Sequence, residues 1–272
     1  MDQVSTGNFP VTRVTADSSV SARDVLAVEE PLEIRLAGPV ERPVSITMRT
    51  PGNDAELAVG FLFTENIING SGDIKAIMQS SFDENKITVE LSPSKTPDLK
   101  GLDRNFYTTS SCGVCGKASV DAVRIASKYN TGENVFTVLQ SLLQSLPDKL
   151  RSSQKVFDAT GALHASGLFD LKGNLLMLRE DVGRHNALDK VIGACVVQNR
   201  IPLRDTVLLL SGRISFELVQ KASVAGIAFV AAIGAPSTLA VEVAKECGIT
   251  LVGFLRDNRY TIYTGGERIQ SL

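Results

Sequence analysis

Residues 207–255 read VLLLSGRISFELVQKASVAGIAFVAAIGAPSTLAVEVAKECGITLVGFL, and this stretch decides the fold. Short apolar runs at Val207–Leu210, Ile227–Ile233 and Ile249–Leu255 alternate with helical patterns over Phe216–Ala225 and Thr238–Cys247. Brief, continuously apolar strands separated by helices mark buried parallel β-strands, so the chain is assigned to the α/β class. Working outward, Val156–Phe169 is expected to pair with Leu175–Arg179 across Asp170-Leu171-Lys172-Gly173-Asn174. A further helix is expected from about Arg184 to Gln198.

Nearer the N-terminus the apolar period falls to two. Leu32, Ile34 and Leu36 share one face, Val44, Ile46 and Met48 another, and Ile87, Val89 and Leu91 a third, which predicts half-covered strands. Pro51-Gly52 marks a turn, and Asn53 with Glu56 has the form of a capping box ahead of a helix over Ala55–Ile68. Residues 1–25 are rich in Ser, Thr and Asp without periodicity and are expected as a flexible arm. Residues 26–105 are expected as a small α+β domain ending in a loop over Ser92–Asn105, and residues 106–272 as the larger α/β domain.

Composition excludes several classes. The 272 residues carry 28 Lys+Arg against 30 Asp+Glu, a net charge of −2, which argues against a dedicated nucleic-acid binder. Eleven Phe, four Tyr and no Trp offer little base-stacking surface. Hydrophobic content of 43% with 21% charged residues argues against disorder. The longest apolar segment, Gly226–Ala235, is ten residues long, against the roughly 20 that span a bilayer. Met1–Val25 has no apolar stretch after a basic start, and the four cysteines are no disulfide framework. The expected location is the cytoplasm, with no membrane partner.

Open α/β sheets bind ligands beyond the carboxyl ends of their strands, where helix N-termini present free N–H groups. Three strand ends carry polar or small residues there: Ser211-Gly212-Arg213, Gly234-Ala235-Pro236-Ser237-Thr238, and Arg256-Asp257-Asn258-Arg259. Each is readable as an ordinary turn or cap. Their convergence, with arginines suited to bidentate phosphate contacts, points to an anionic, phosphorylated ligand. No GxGxxG or GxxxxGK[ST] string supports a Rossmann or P-loop site.

The sharpest local signal is Ser111-Cys112-Gly113-Val114-Cys115-Gly116-Lys117, a thiol pair at the start of an expected helix. A helix terminus favours the thiolate by roughly 0.3–1 kcal/mol, too little to ionise an ordinary thiol at neutral pH. A persulfide ionises more readily, so the setting suits carriage of sulfur. Zinc is the first rival, but Cys195, Cys247, His164 and His185 supply no second pair at ligand spacing, so no tightly bound metal is expected. A zinc deaminase would need H-x-E ahead of P-C-x-x-C; here His164-Ala165-Ser166 lacks the Glu and follows the cysteines. A thioredoxin-like order of elements fits poorly.

A second cluster, Glu180-Asp181-Val182-Gly183-Arg184-His185-Asn186-Ala187-Leu188-Asp189-Lys190, lies between a strand end and a helix start. Asp181 there is readable as an N-cap, and Asp189 and Lys190 as a solvated face. His185 suits a structural and a catalytic role equally.

Taken together, SCGVCG at 111–116, EDVGRHNALDK at 180–190 and LAVEVAKECGITLVGFLRDNRYTIYTG at 239–265 resemble the FdhD family of formate dehydrogenase accessory sulfurtransferases. The resemblance runs from about Leu32 to Arg268. It implies a homodimeric cytoplasmic sulfur carrier with a cytidine-deaminase-like core. Such a carrier accepts sulfane sulfur from a cysteine desulfurase and delivers it to the molybdenum of bis-molybdopterin guanine dinucleotide, before that substrate enters formate dehydrogenase. By the same resemblance Cys112 carries the persulfide and Cys115 is its companion. Phe254, Leu255, Arg256, Asp257, Asn258 and Arg259 match the family's cofactor-binding segment, beside which Ser211 and Arg213 are expected to meet the guanine nucleotide arms. The competing class is a chaperone that binds the cofactor while its CxxC gives redox protection.

Overall fold

The computed structural model describes residues 5–38, 41–93 and 127–271. In place of the arm expected before residue 26, β1 (Thr6–Val14) and β2 (Ser19–Ala27) pair as an antiparallel ribbon. Phe9, Val14 and Val20 are exposed on it, so neither face shows the apolar alternation that betrays a half-buried strand.

The period-two segments become β3 (Glu30–Ala37), β4 (Arg42–Arg49) and β6 (Lys86–Leu91), joined by an unforeseen β5 (Ile74–Gln79). Their order is β4-β3-β6-β5, with β3 and β6 parallel. Leu32, Ile34, Leu36, Ile87 and Val89 are buried, and α1 (Asp54–Thr64) packs into the same core. The helix stops four residues short of Ile68. The capping box does not form, because Asn53 adopts a left-handed conformation (φ 60°) and makes no side-chain cap bond. Glu56 instead takes a bidentate pair of bonds from Arg179 at 2.5 and 2.7 Å.

Beyond residue 127 come β7 (Val138–Leu139), α2 (Gln140–Arg151) and α3 (Lys155–Thr160), then the hairpin β8 (His164–Asp170) and β9 (Leu175–Asp181). Residues 156–160, expected as strand, belong to the helix α3 because the Glu180 carboxylate accepts the amides of Val156 and Phe157 at 3.0 and 2.9 Å. After α4 (Arg184–Val197) the alternation runs as expected: β10 (Thr206–Leu210), α5 (Phe216–Val224), β11 (Phe229–Ala232), α6 (Thr238–Glu246), β12 (Thr250–Arg256). The series continues into β13 (Arg259–Thr264) and a short β14 (Ile269–Gln270) paired with β7.

The resulting sheet has six strands in the order β13-β12-β11-β10-β8-β9. Its centre, β10 to β12, is parallel; β8 and β13 run against it, and β9, antiparallel to β8, runs with it, so the fold is mixed α/β. Alternate residues face opposite layers. Val207, Leu209, Phe229 and Ala231 pack with Leu143, Leu146 and Leu150 of α2; Leu208, Leu210, Val230 and Ala232 join the core shared by α4, α5 and α6. No helix among the described residues is long and apolar enough to cross a membrane.

The two expected domains share one core, because α1 lies against α4. Glycines permit that approach. A β-carbon on Gly193 would stand 1.8 Å from the Glu56 carbonyl oxygen, and one on Gly60 1.9 Å from that of Asp189. The expected boundary at 105/106 lies outside the described residues. We expect Gly193→Ala to destabilise the fold by about 3 kcal/mol, since backbone on both sides must move. Urea denaturation measures this, and a loss under about 1 kcal/mol would mean that the helices part freely.

Candidate functional site

Because β10, β11 and β12 are parallel neighbours, their carboxyl ends open on one edge, where a ligand of an α/β sheet is expected. Backbone bonds stitch the loops at that edge together. The Gly234 amide donates to the Gly212 carbonyl at 3.1 Å, and the Phe254 amide to the Gly234 carbonyl at 3.0 Å. A β-carbon at Gly234 would lie 2.8 Å from the Gly212 oxygen, so this approach needs glycine. The strand ends therefore converge as the sequence suggests.

Their roles differ, however. Ser211 is occupied structurally: its hydroxyl accepts the Ala165 amide at 2.8 Å and its own amide donates to the Ala165 carbonyl at 3.0 Å. Arg213 is exposed at the edge. Ser237 caps α6 by accepting the Ala240 amide at 3.2 Å. The segment from Phe254 to Arg259 is no strand-to-helix loop. It is a tight hairpin, with Arg256 paired to Arg259 across the two-residue tip Asp257-Asn258, so no helix N-terminus backs it.

Phe254 takes a left-handed conformation (φ 54°), costly for a bulky side chain, next to an irregularity in the β12–β13 pairing. The kink turns its ring outward, 44% exposed, while Leu255 remains fully buried against the α2 side of the sheet. Leu255 therefore anchors the hairpin. Phe254 and Arg259 line a pocket of about 320 Å³ together with Tyr260 and Thr261, two residues that sequence reasoning missed. Arg256, Asp257 and Asn258 are exposed at its tip. Cys112 and Cys115 lie outside the described residues.

The EDVGRHNALDK cluster proves to be the seam between α1's sheet and the larger one. Asp181 is fully buried and accepts the Gly183 amide at 2.8 Å, the Thr50 amide at 3.2 Å and the Lys190 ammonium at 2.7 Å. Burial pushes its carboxyl upward, and Lys190 pulls it back. Lys190 also donates to the Thr50 carbonyl at 2.8 Å, and Asn186 to the Met48 carbonyl at 2.7 Å. One turn on, Asp189 receives Lys221 at 2.8 Å and the Thr64 hydroxyl at 2.9 Å. His185 is buried with its Nε2 3.0 Å from the Ser215 hydroxyl. These side chains hold the two sheets together, which resolves the open reading of Asp189 and Lys190 against a solvated face.

His164, weighed from sequence only as a metal ligand, stands at the same edge, where β8 begins beside the end of β10. Burial lowers its pKa, and the guanidiniums of Arg184 and Arg213 lower it further, with Asp181 opposing. Among the described residues no group of three or more His, Cys, Asp or Glu is placed to hold a metal ion. Cys195 is fully buried, and burial pushes its thiol up, so it is an inert core residue.

Comparison with known proteins fits this architecture. Residues 27–270 match the FdhD/NarQ family. A sulfur carrier protein FdhD of Mycolicibacterium paratuberculosis is 51% identical over 266 residues, covering 95% of this chain and 97% of its own. One of Streptomyces avermitilis is 50% identical over 263 residues, covering 93% and 92%. A solved structure from Desulfotalea psychrophila, described as a formate dehydrogenase accessory protein, superposes with a TM-score of 0.75 at 22% identity, over 97% of this chain and 99% of that one. That superposition shows a common fold, and the half-identical relatives extend the kinship through nearly every residue: the chain belongs to the FdhD/NarQ family.

Proposed function

We propose that this chain is a sulfur carrier that serves formate dehydrogenase, with Cys112 as the carrying residue. The observation that carries the reading is the 51% identity, over 95% of the chain, to a protein named as a sulfur carrier. The CxxC of Cys112 and Cys115 supplies the chemistry. The Cys112 thiolate attacks the terminal sulfur of a desulfurase persulfide, forming Cys112–S–SH and releasing the desulfurase thiolate. In delivery, the Cys115 thiolate attacks the Cys112 sulfur and expels hydrosulfide toward the molybdenum of the substrate, bis-molybdopterin guanine dinucleotide. The disulfide left behind is returned to two thiols by a cellular dithiol reductant. The reading includes a cytoplasmic homodimer with a deaminase-like core, which the mixed sheet with helices on both faces accommodates.

The test is mass spectrometry after incubation with a cysteine desulfurase and cysteine. One added sulfur atom on Cys112, removed by reductant, is expected. Cofactor binding without protein-borne sulfur would replace this reading with that of a chaperone.

In the same reading the pocket beside Phe254 receives a guanine nucleotide arm. The outward ring of Phe254 offers a stacking face, Arg259 a charge for the diphosphate, and Asp257 and Asn258 acceptors for the N1–H and N2–H donors of guanine, which adenine lacks. A charge-assisted bond is worth roughly 1.5–3 kcal/mol, so Arg259→Ala should weaken GDP binding about ten- to a hundredfold. Calorimetric titration of GDP and ADP decides this, and equal affinities for both nucleotides in both proteins would remove the hairpin from the site.

A further inference from the structure

The sequence grouped Arg213 with Arg256 and Arg259, but the structure gives it other company. Arg213 follows β10, Arg184 opens α4, and His164 opens β8, where a β-carbon on Gly212 would come within 3.0 Å of the His164 Nδ1. The guanidiniums of Arg184 and Arg213 act on His164 through space. Asp181, the carboxylate that faces them, is already held by Lys190 at 2.7 Å. The Arg184 Nε is buried without a hydrogen-bond partner among the described residues. The Ser166 hydroxyl, two residues along the same face of β8 from His164, is likewise buried and unpartnered. Gly183 gives α4 no side-chain cap. Two guanidiniums beside an imidazole, with no free carboxylate among the described residues to answer them, leave positive charge uncompensated, and a buried guanidinium donor without an acceptor is costly.

We propose that His164, Arg184 and Arg213 form a second anion-binding site, distinct from the Phe254–Arg259 pocket, that takes a phosphate or diphosphate group. An oxyanion there supplies the missing acceptors, matches the arginine forks and offsets the excess positive charge. His164 on β8 lies three strand spacings from β12 of the hairpin, about 14 Å along the edge. That is far enough for separate anionic groups, whether parts of one extended dinucleotide or a free phosphate. His164 makes the site pH-sensitive. Its protonation is opposed by burial, by Arg184 from α4 and by Arg213 from the loop after β10, and favoured by Asp181 from the end of β9. A bound anion reverses that balance, so affinity rises as pH falls through the titration of His164.

The experiment follows the ring-carbon resonances of the chain's two histidines by NMR against pH, with a His164→Gln variant to assign them. Titrations use inorganic phosphate, pyrophosphate and GDP separately. Pyrophosphate is expected to raise the His164 midpoint, Arg213→Gln to weaken the binding that this midpoint reports about tenfold, and Arg259→Ala to leave the His164 response alone unchanged, whatever it does at the hairpin. A response to inorganic phosphate alone as strong as that to pyrophosphate identifies a single-phosphate site; a stronger response to pyrophosphate or GDP identifies a diphosphate site. A His164 midpoint indifferent to all three anions overturns the proposal, as does a response that survives Arg213→Gln with Arg184→Gln. So does a response to GDP alone that disappears in Arg259→Ala, because it would make the two sites one. Sulfur loading of Cys112 is read independently by mass spectrometry, so the two readings fail separately.

Discussion

Cells whose only copy of this protein carries Cys112→Ser should lose formate dehydrogenase activity to background. A serine oxygen cannot take up sulfane sulfur, so the loss is chemical, and the purified variant should melt with the wild type. The other cysteines offer no substitute. Cys195 is fully buried in the core, where desolvation holds its thiol in the protonated, unreactive form. Cys247 closes α6 and packs against that core. Cys115→Ser separates the roles further. It should still accept sulfur on Cys112 but fail to expel it as hydrosulfide, so persulfide accumulates while activity falls. Normal formate dehydrogenase activity in cells with Cys112→Ser alone would end the sulfur-carrier assignment.

The second large effect concerns stability. Asp189→Ala should destabilise the fold by about 3–5 kcal/mol, the usual cost of leaving one partner of a buried ion pair uncompensated. Among the described residues Lys221 then keeps only the Thr64 hydroxyl at 2.8 Å and the Phe61 ring at 5.9 Å. Against a total stability of roughly 5–15 kcal/mol, such a loss is close to unfolding. Because Thr64 belongs to α1, Asp189 to α4 and Lys221 to α5, the damage should spread to both sheets in one transition. Replacing both partners, Asp189→Leu with Lys221→Met, should recover most of the loss, since neither charge is then stranded. Equilibrium urea denaturation compares the three proteins. A single-variant loss below about 1 kcal/mol would show that water reaches the pair.

Short-range chemistry made much of this molecule legible. The runs at Val207–Leu210, Ile227–Ile233 and Ile249–Leu255 are apolar on both faces because helices cover both faces of the sheet, and they became β10, β11 and β12. α4 to α6 and the β8–β9 turn emerged within a few residues of expectation. Elements without that contrast were harder to see. α2 carries Leu143, Leu146 and Leu150 at helical spacing but has Pro147 inside it, and β13 follows a hairpin tip whose arginines suggest a ligand loop.

The sequence by itself determined the α/β class, the converging strand ends and the cysteine pair, because period, turn chemistry and a four-residue motif are local properties. Only the tertiary structure decided which polar residues remain available for a ligand. Asp181 meets Thr50 and Asp189 meets Thr64 across more than a hundred residues of chain. Sequence spacing carries no trace of such pairings, since they arise when two apolar surfaces bury their few charges against each other. The same packing withdrew Ser211 and Leu255 from the edge and left His164, Arg184 and Arg213 upon it. A side chain's availability follows from what the fold puts beside it.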